Sequence, residues 1–349
     1  MSSEYIDGFD TYATADLFLG RWDGFVNLAP VVSTANPRTG TKSLLFGTSQ
    51  NSSVYRNLGG NRATVIVGGA FHNANLTSSL WPVFMFNDGS PSSVQITIAV
   101  DTFGKIRAYR GTVGGTLLDT SLVSVGSSGT FIHIAAKVTF HGSSGVIVVR
   151  VNDVAFLTLT GIDTTNTANN YCNQVLLGYN ALNGTYTPAV YLDDFYIFNG
   201  LGSDCNDFPG DVGVYPLTVN GNGSTQNFTP TPGSNNSANV DDTTPDGDST
   251  FNSSPTINHI DLYTHTAAPT LGAIYTVQTC LVARKDDAGS IHVSSVCKSG
   301  GTTGVGSVDN SLTNNYRAYL DNFATDPATG VAWTLSGLNA AELGGKIIS

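Results

Sequence analysis

In Val94-Gln95-Ile96-Thr97-Ile98-Ala99-Val100-Asp101 the large apolar residues Val94, Ile96, Ile98 and Val100 alternate with Gln95, Thr97, Ala99 and Asp101. A period of two is what a strand imposes, because successive side chains leave opposite faces of a sheet. The stretch therefore predicts a half-buried strand, one face against a core. Outward from it, Thr102-Phe103-Gly104-Lys105 supplies a turn before a second strand at 106–110. In 131–140, Ile132, Ile134, Ala136, Val138 and Phe140 share one face, and His133, Lys137 and Thr139 share the other. Strands at 146–151 and 154–160 flank Asn152-Asp153, two turn-forming residues that make a hairpin signal. Val190-Tyr191-Leu192-Asp193-Asp194-Phe195-Tyr196-Ile197-Phe198 is apolar at both parities, which predicts a central strand covered on both faces.

The aperiodic run from Asn199 to Asp207 marks a boundary. Residues 1–200 then form one domain, 201–210 a linker and 211–349 a second domain. Strands are expected there at 211–219, 257–264, 273–285, 290–298 and 331–335, with a long Gly/Asn/Pro/Asp-rich loop over 220–256. Ser336 is placed to cap a short helix over 337–343, stopped by Gly344-Gly345. The expected class is all-β: two β-sandwich domains, the second smaller and carrying that helix.

Composition agrees. Only 12% of the 349 residues are charged, against about 25% in average soluble proteins. Of 26 acidic residues only Glu4 and Glu342 are glutamate, and 39 glycines accompany abundant Ser, Thr and Asn. These residues favour turns and strands over exposed helix. A net charge of −11 with no basic run argues against nucleic-acid binding. No apolar run is long enough to predict a membrane span. The first residues carry neither a basic start nor an apolar stretch, so no classical signal peptide is expected.

The opening Tyr5-Ile6-Asp7-Gly8-Phe9-Asp10-Thr11-Tyr12 and the closing Leu192-Asp193-Asp194-Phe195-Tyr196-Ile197 resemble the first and last strands of concanavalin A-like (laminin G-type) jelly rolls. In that fold these two strands lie side by side. Further on, Asp207-Phe208-Pro209-Gly210-Asp211-Val212, Asn239-Val240-Asp241-Asp242 with Pro245-Asp246-Gly247-Asp248, and Trp333-Thr334-Leu335 with Leu338-Asn339-Ala340 resemble a two-domain family of tailed-bacteriophage virion proteins. That resemblance implies a non-enzymatic particle component, decorating or attaching head or tail. It would be assembled in the host cytoplasm and released by lysis. Its implied partners are other capsid or tail proteins, further copies of itself (a trimer, by analogy with fibres) and a host surface glycan.

Candidate chemistry is sparse. Retaining glycosidases need two carboxylates about 5 Å apart. Asp193 and Asp194 are adjacent, but neighbouring strand residues point to opposite faces and cannot pair. Lyases of the same fold need clustered Arg, His, Gln and Tyr, and the six histidines are scattered. Asp241, Asp242, Asp246 and Asp248 offer oxygen ligands for calcium or, more simply, Asx-turns in an interface loop; no other cofactor is expected. His259, Asp261, Tyr263 and His265 share one parity, spaced about 6.8 Å apart along a strand. That stripe suits a metal or a subunit-facing surface. No Cys-x-x-Cys occurs among Cys172, Cys205, Cys280 and Cys297. A hairpin turning near Asp287-Ala288-Gly289-Ser290 would set Cys280 opposite Cys297, close enough for a disulfide, whereas a reducing cytoplasm favours thiols. Trp22, Trp81, Trp333 and 14 tyrosines are the resource for stacking on sugars. Glycosylation triplets begin at Asn51, Asn75 and Asn183.

Two alternatives stand beside the virion expectation. A glycan-active enzyme of jelly-roll type, hydrolase or lyase, would show a polar sheet face with converging Asp, His or Arg. A cellular lectin or adhesin would need an export signal.

Overall fold

The computed structural model describes residues 3–47, 52–72, 77, 80–90, 92–126, 129–178, 189–202, 205–270, 272–306 and 310–349. The chain divides into two compact units, Met1–Asp10 with Trp22–Val214, and Thr11–Arg21 with Tyr215–Ser349. Both are built from antiparallel strands, giving an all-β protein of two sandwich-like regions with one short α-helix among the described residues. No helix among them is long and apolar enough to cross a membrane.

The first unit holds β1 (Ser3–Asp7), β2 (Val31–Ser33), β3 (Ser43–Phe46), β4 (Ser53–Arg62), β5 (Thr64–His72), β6 (Trp81–Asn87) and β7 (Val94–Val100). It continues with β8 (Lys105–Arg110), β9 (Thr116–Ser124), β10 (Phe131–Thr139), β11 (Gly145–Val151), β12 (Val154–Ile162), β13 (Cys172–Gly178) and β14 (Val190–Phe198). An eight-stranded sheet runs β12-β11-β10-β5-β14-β3-β2, with β1 added on β14 as the resemblance implies. A six-stranded sheet runs β4-β13-β6-β7-β8-β9. Phe71 packs on Trp81 and Phe84, and Phe86 on Phe140, so the core lies between the sheets. The hairpin between β11 and β12 turns on Asn152 and Asp153, both at positive φ, the backbone that a two-residue turn of this hand requires.

The motif residues serve this interior. Asp7 is buried and accepts hydrogen bonds from Tyr5 Oη, Trp22 Nε1 and the Phe9 amide. Strand β7 departs from the half-buried reading: Gln95 and Thr97 are as buried as Ile96 and Ile98. Gln95 is matched by Asp88 and by Asn166, Thr167 and Asn169 of a loop over the outer face, and Thr97 by the Gly111 carbonyl.

In the second unit, β15 (Val219–Gln226), β16 (Thr229–Thr231), β17 (Phe251–Ser253), β18 (Ile260–His265), β19 (Val277–Ala283) and β20 (His292–Ser299) are followed by β21 (Thr302–Val305), β22 (Asn310–Ser311), β23 (Arg317–Phe323), α1 (Leu335–Asn339) and β24 (Glu342–Ile347). The main sheet runs β15-β18-β24-β20-β21, with β22 on β20, and β16–β17 and β19–β23 pair separately. The 220–256 stretch is thus partly ordered into strands. The expected helix begins earlier: Thr334, not Ser336, caps it by accepting from the Gly337 amide. Gly344 and Gly345 lie inside β24, where Gly344 passes too close to the Asp261 backbone to carry a Cβ. The Cys280–Cys297 hairpin does not form. Cys280 pairs with Leu320 of β23 and Cys297 with Leu343 of β24, and none of the four cysteines is in a disulfide.

Candidate functional site

Because Phe71 of β5 points into the core, its neighbours Ala70 and His72 lie on the outer face of the eight-stranded sheet. Register then fixes a row across five strands. Phe131 of β10 stands opposite His72, His72 opposite Tyr191 of β14, Tyr191 opposite Leu45 of β3, and Leu45 opposite Val31 of β2. Val31 is exposed and the other four are half-buried. The His72 ring lies 5.4 Å from Phe131 and 6.0 Å from Tyr191, near a right angle to both. Among the described residues, no hydrogen bond engages the His72 imidazole or the Tyr191 hydroxyl.

The next rows inward are covered. His133 and Asp193 stand opposite Ala70 from either side, and Ala135 and Tyr196 stand opposite Gly68. His133 is 2% exposed and stacks on Tyr196 at 5.8 Å, and neither of its ring nitrogens has a hydrogen-bond partner among the described residues. Burial lowers its pKa to about 4, outweighing the upward pull of Asp211 and Asp153; Arg38 adds to the lowering. Phe208, Val212 and Cys205 pack on the cluster of Ile66, Tyr196 and Phe198, so the 205–214 segment lies along this face.

Asp193 and Asp194 correct the strand alternation. A bulge interrupts β14 between Asp193 and Tyr196, and Asp194 takes a φ of 52°. Both carboxylates therefore reach the same loop. Asp193 Oδ2 accepts from the Arg38 and Thr39 amides, at 2.7 and 3.1 Å. Asp194 accepts from Thr39 Oγ1 and the Val214 amide, each at 2.6 Å, and pairs with Arg38 at 2.9 Å. Arg38 also binds Asp211 and the Val212 carbonyl. Burial and the neighbouring Asp194 raise the Asp193 pKa to about 8, and burial raises that of Asp194. These carboxylates are saturated by the loops they tie down. Opposite orientation does not separate the two carboxylates, since both are taken up by the Arg38–Thr39 segment.

The other sequence candidates lie elsewhere. Trp22 and Trp81 are fully buried and Trp333 is 5% exposed, so none of the three offers a stacking surface. Asp241, Asp242, Asp246 and Asp248 are exposed, and Asp248 binds Arg284 and Tyr316. No cluster of three or more metal-ligating side chains occurs among the described residues. Within the second stripe, Asp261 binds Tyr263 Oη, the Asn236 amide group and the Asn227 and Phe228 amides, organising the loop. His259 contacts Ser254, and His265 contacts the Thr266 and Leu338 carbonyls. Burial raises the Cys172 and Cys297 thiols to about 12, which leaves them unreactive. Asn51, Asn75 and Asn183 lie outside the described residues. Sequence reasoning missed Phe131, His72 and Tyr191, which meet only through register.

No family of known proteins matches the sequence, and no curated protein matches it. Among solved structures the chain is similar to alginate lyase Aly36B, at 13% identity and a TM-score of 0.37, over 56% of this chain and 97% of that one. It is also similar to alginate lyase vAL-1 from Chlorella virus, at 11% identity and a TM-score of 0.37, over 54% and 98%. A Trypanosoma rangeli sialidase matches at 12% identity and a TM-score of 0.35, over 49% of this chain but only 27% of its own length. These are carbohydrate-active proteins, not tailed-phage virion proteins. They correct the virion expectation, and with it the non-enzymatic role and the head or tail decoration drawn from it. The motifs behind that expectation have intrachain duties: Asp207 pairs with Lys137, Phe208 lies under Arg150, and Asp211 pairs with Arg38.

Proposed function

We propose that the protein is glycan-active, its first unit a concanavalin A-like jelly roll that binds polysaccharide on the outer face of the eight-stranded sheet. The observation that carries this is the half-exposed row of Phe131, His72 and Tyr191, extended by Leu45 and Val31. Ring faces and flat apolar surface suit the apolar faces of sugars, and polar groups among them supply orientation. Here those polar groups are an imidazole and a phenol with no competing partner among the described residues. They are also the two groups in the row able to move a proton, so His72 and Tyr191 are the proton-transfer pair of any reaction on the bound chain. The saturated Asp193–Asp194 pair favours elimination over carboxylate-driven hydrolysis.

Sedimentation with a panel of insoluble and soluble polysaccharides, followed by assay of reducing ends and of the ultraviolet absorbance of unsaturated ends, tests this. Retention of the protein and formation of unsaturated products are expected. His72→Gln with Tyr191→Phe should keep binding and lower product formation about 100-fold or more. Unchanged turnover in that variant would remove the assigned chemistry, and failure to retain any polysaccharide would remove the glycan reading itself.

A further inference from the structure

The covered rows beside the stripe restrict how a chain can lie on it. Toward the sheet centre, the surface is closed by the Arg38 loop over Asp193 and by the 205–214 segment packed on Tyr196. A ligand on the stripe is therefore directed along the row, across the strands. Phe131 and Tyr191 both stand opposite His72, so they are two strands apart, or about 10 Å. Leu45 and Val31 continue the surface for two further strands, about another 10 Å.

We infer that the ligand is a linear, diequatorially linked glycan of the β-1,4 type, stretched flat across the strands with alternate sugars on Tyr191 and Phe131. The inference rests on the glycan reading above. In a flat two-fold chain each sugar is turned over relative to the last, so the same apolar face returns at every second unit. Two rings separated by two interstrand spacings meet that repeat, and the His72 imidazole between them faces the intervening sugar. A coiled α-1,4 chain turns its sugar faces around an axis and offers no such flat repeat. Elimination on the flat chain needs a uronate unit, whose carboxylate acidifies the C5 proton, so neutral hexaoses of the same linkage report the chain geometry without turnover.

Titration calorimetry of the full chain with cellohexaose, mannohexaose and maltohexaose tests the inference. The first two are flat chains and the third is coiled. Binding of cellohexaose or mannohexaose at least tenfold tighter than maltohexaose is expected. Phe131→Leu and Tyr191→Leu keep apolar volume and remove the ring face; each should weaken the hexaose about fivefold, and together about 25-fold. Equal or tighter binding of maltohexaose, or a double variant no weaker than either single one, would overturn the flat-chain geometry while leaving a glycan-binding protein. A protein that retains none of the hexaoses and no polysaccharide would overturn the glycan reading and this inference together.

Discussion

On the eight-stranded sheet, the row from Val31 through Tyr191 and His72 to Phe131 stays partly open, and its polar groups are uncommitted among the described residues. On the six-stranded sheet, Tyr55, Leu176, Met85, Thr97, Tyr109 and Leu117 also form a row across the outer face. There Leu176, Met85, Thr97 and Tyr109 are buried. Val26 and Tyr55 pack against Met85, Val94 and Leu176. Gln95 donates to Asp88, Thr167 Oγ1 and the Asn169 carbonyl, and accepts from the Asn166 and Thr167 amides. Both rows are mixed aromatic and apolar. What separates them is whether the chain has already matched the polar groups: a saturated face stabilises the fold, and an unsaturated one is available to a ligand.

The largest expected effect lies on the closed face. Gln95→Leu would remove five hydrogen bonds, those from the Asn166 and Thr167 amides and those to Asp88, Thr167 Oγ1 and the Asn169 carbonyl, at a cost of about 4 kcal/mol. For a unit of this size that is roughly 8–16 °C in Tm. Thermal unfolding checks it, and glycan retention at low temperature should be unchanged. A small shift would mean that water already reaches Gln95 and that the two faces are less different than their burial implies.

Much of the architecture was legible and the site was not. Alternation in 131–140, the Asn152-Asp153 turn and the doubly apolar 190–198 run each report local geometry, which a sequence carries directly. The pairing of β1 with β14 followed from the resemblance of their motifs. Phe131, His72 and Tyr191 are 59 and 119 positions apart in the chain and meet because two registers coincide, information held in no single stretch. The Asp193–Asp194 bulge was equally hidden, since positive φ at an aspartate depends on the loop that it binds. Near Cys280 the turn signal points to a hairpin with β20, whereas β19 pairs with β23, which arrives later in the chain.

His133 gives the next effect in size. Its folded pKa of about 4 lies below the ordinary value of 6.5, so the folded state holds it neutral. Above pH 6.5 both states are neutral and the full stability is present. As pH falls from 6.5 to 4 the unfolded chain takes up a proton that the folded chain refuses, and about 3 kcal/mol is lost. Denaturant unfolding across that range should show this slope, and His133→Phe should remove it. A variant with the same slope would assign the acid sensitivity to other groups and would leave the covered rows as exposed to water as the stripe.

The stripe reverses the pattern. Phe131→Leu with Tyr191→Leu should weaken glycan binding about 25-fold, or about 2 kcal/mol, with Tm changed by no more than a few degrees. A large loss of stability without loss of binding would make the open row another structural seam.

Thr97→Val is the smallest and the most discriminating substitution. Thr97 sits on the closed row between Met85 and Tyr109, fully buried, and its hydroxyl donates to the Gly111 carbonyl at 2.7 Å. Valine keeps the branched shape and removes one hydrogen bond, for about 1 kcal/mol or roughly 2–4 °C. Gly111 has a positive φ and lies against Asn166, in the loop that also binds Gln95, so losing this bond tests whether the loop is held at several points or at one. A cost near 1 kcal/mol that adds to that of Gln95→Leu means independent anchors. A cost that disappears in the Gln95→Leu background means the loop lifts as a unit. In that case the closed face is closed by a single latch, and its row of tyrosines and apolar side chains becomes a second surface of the same kind as the stripe.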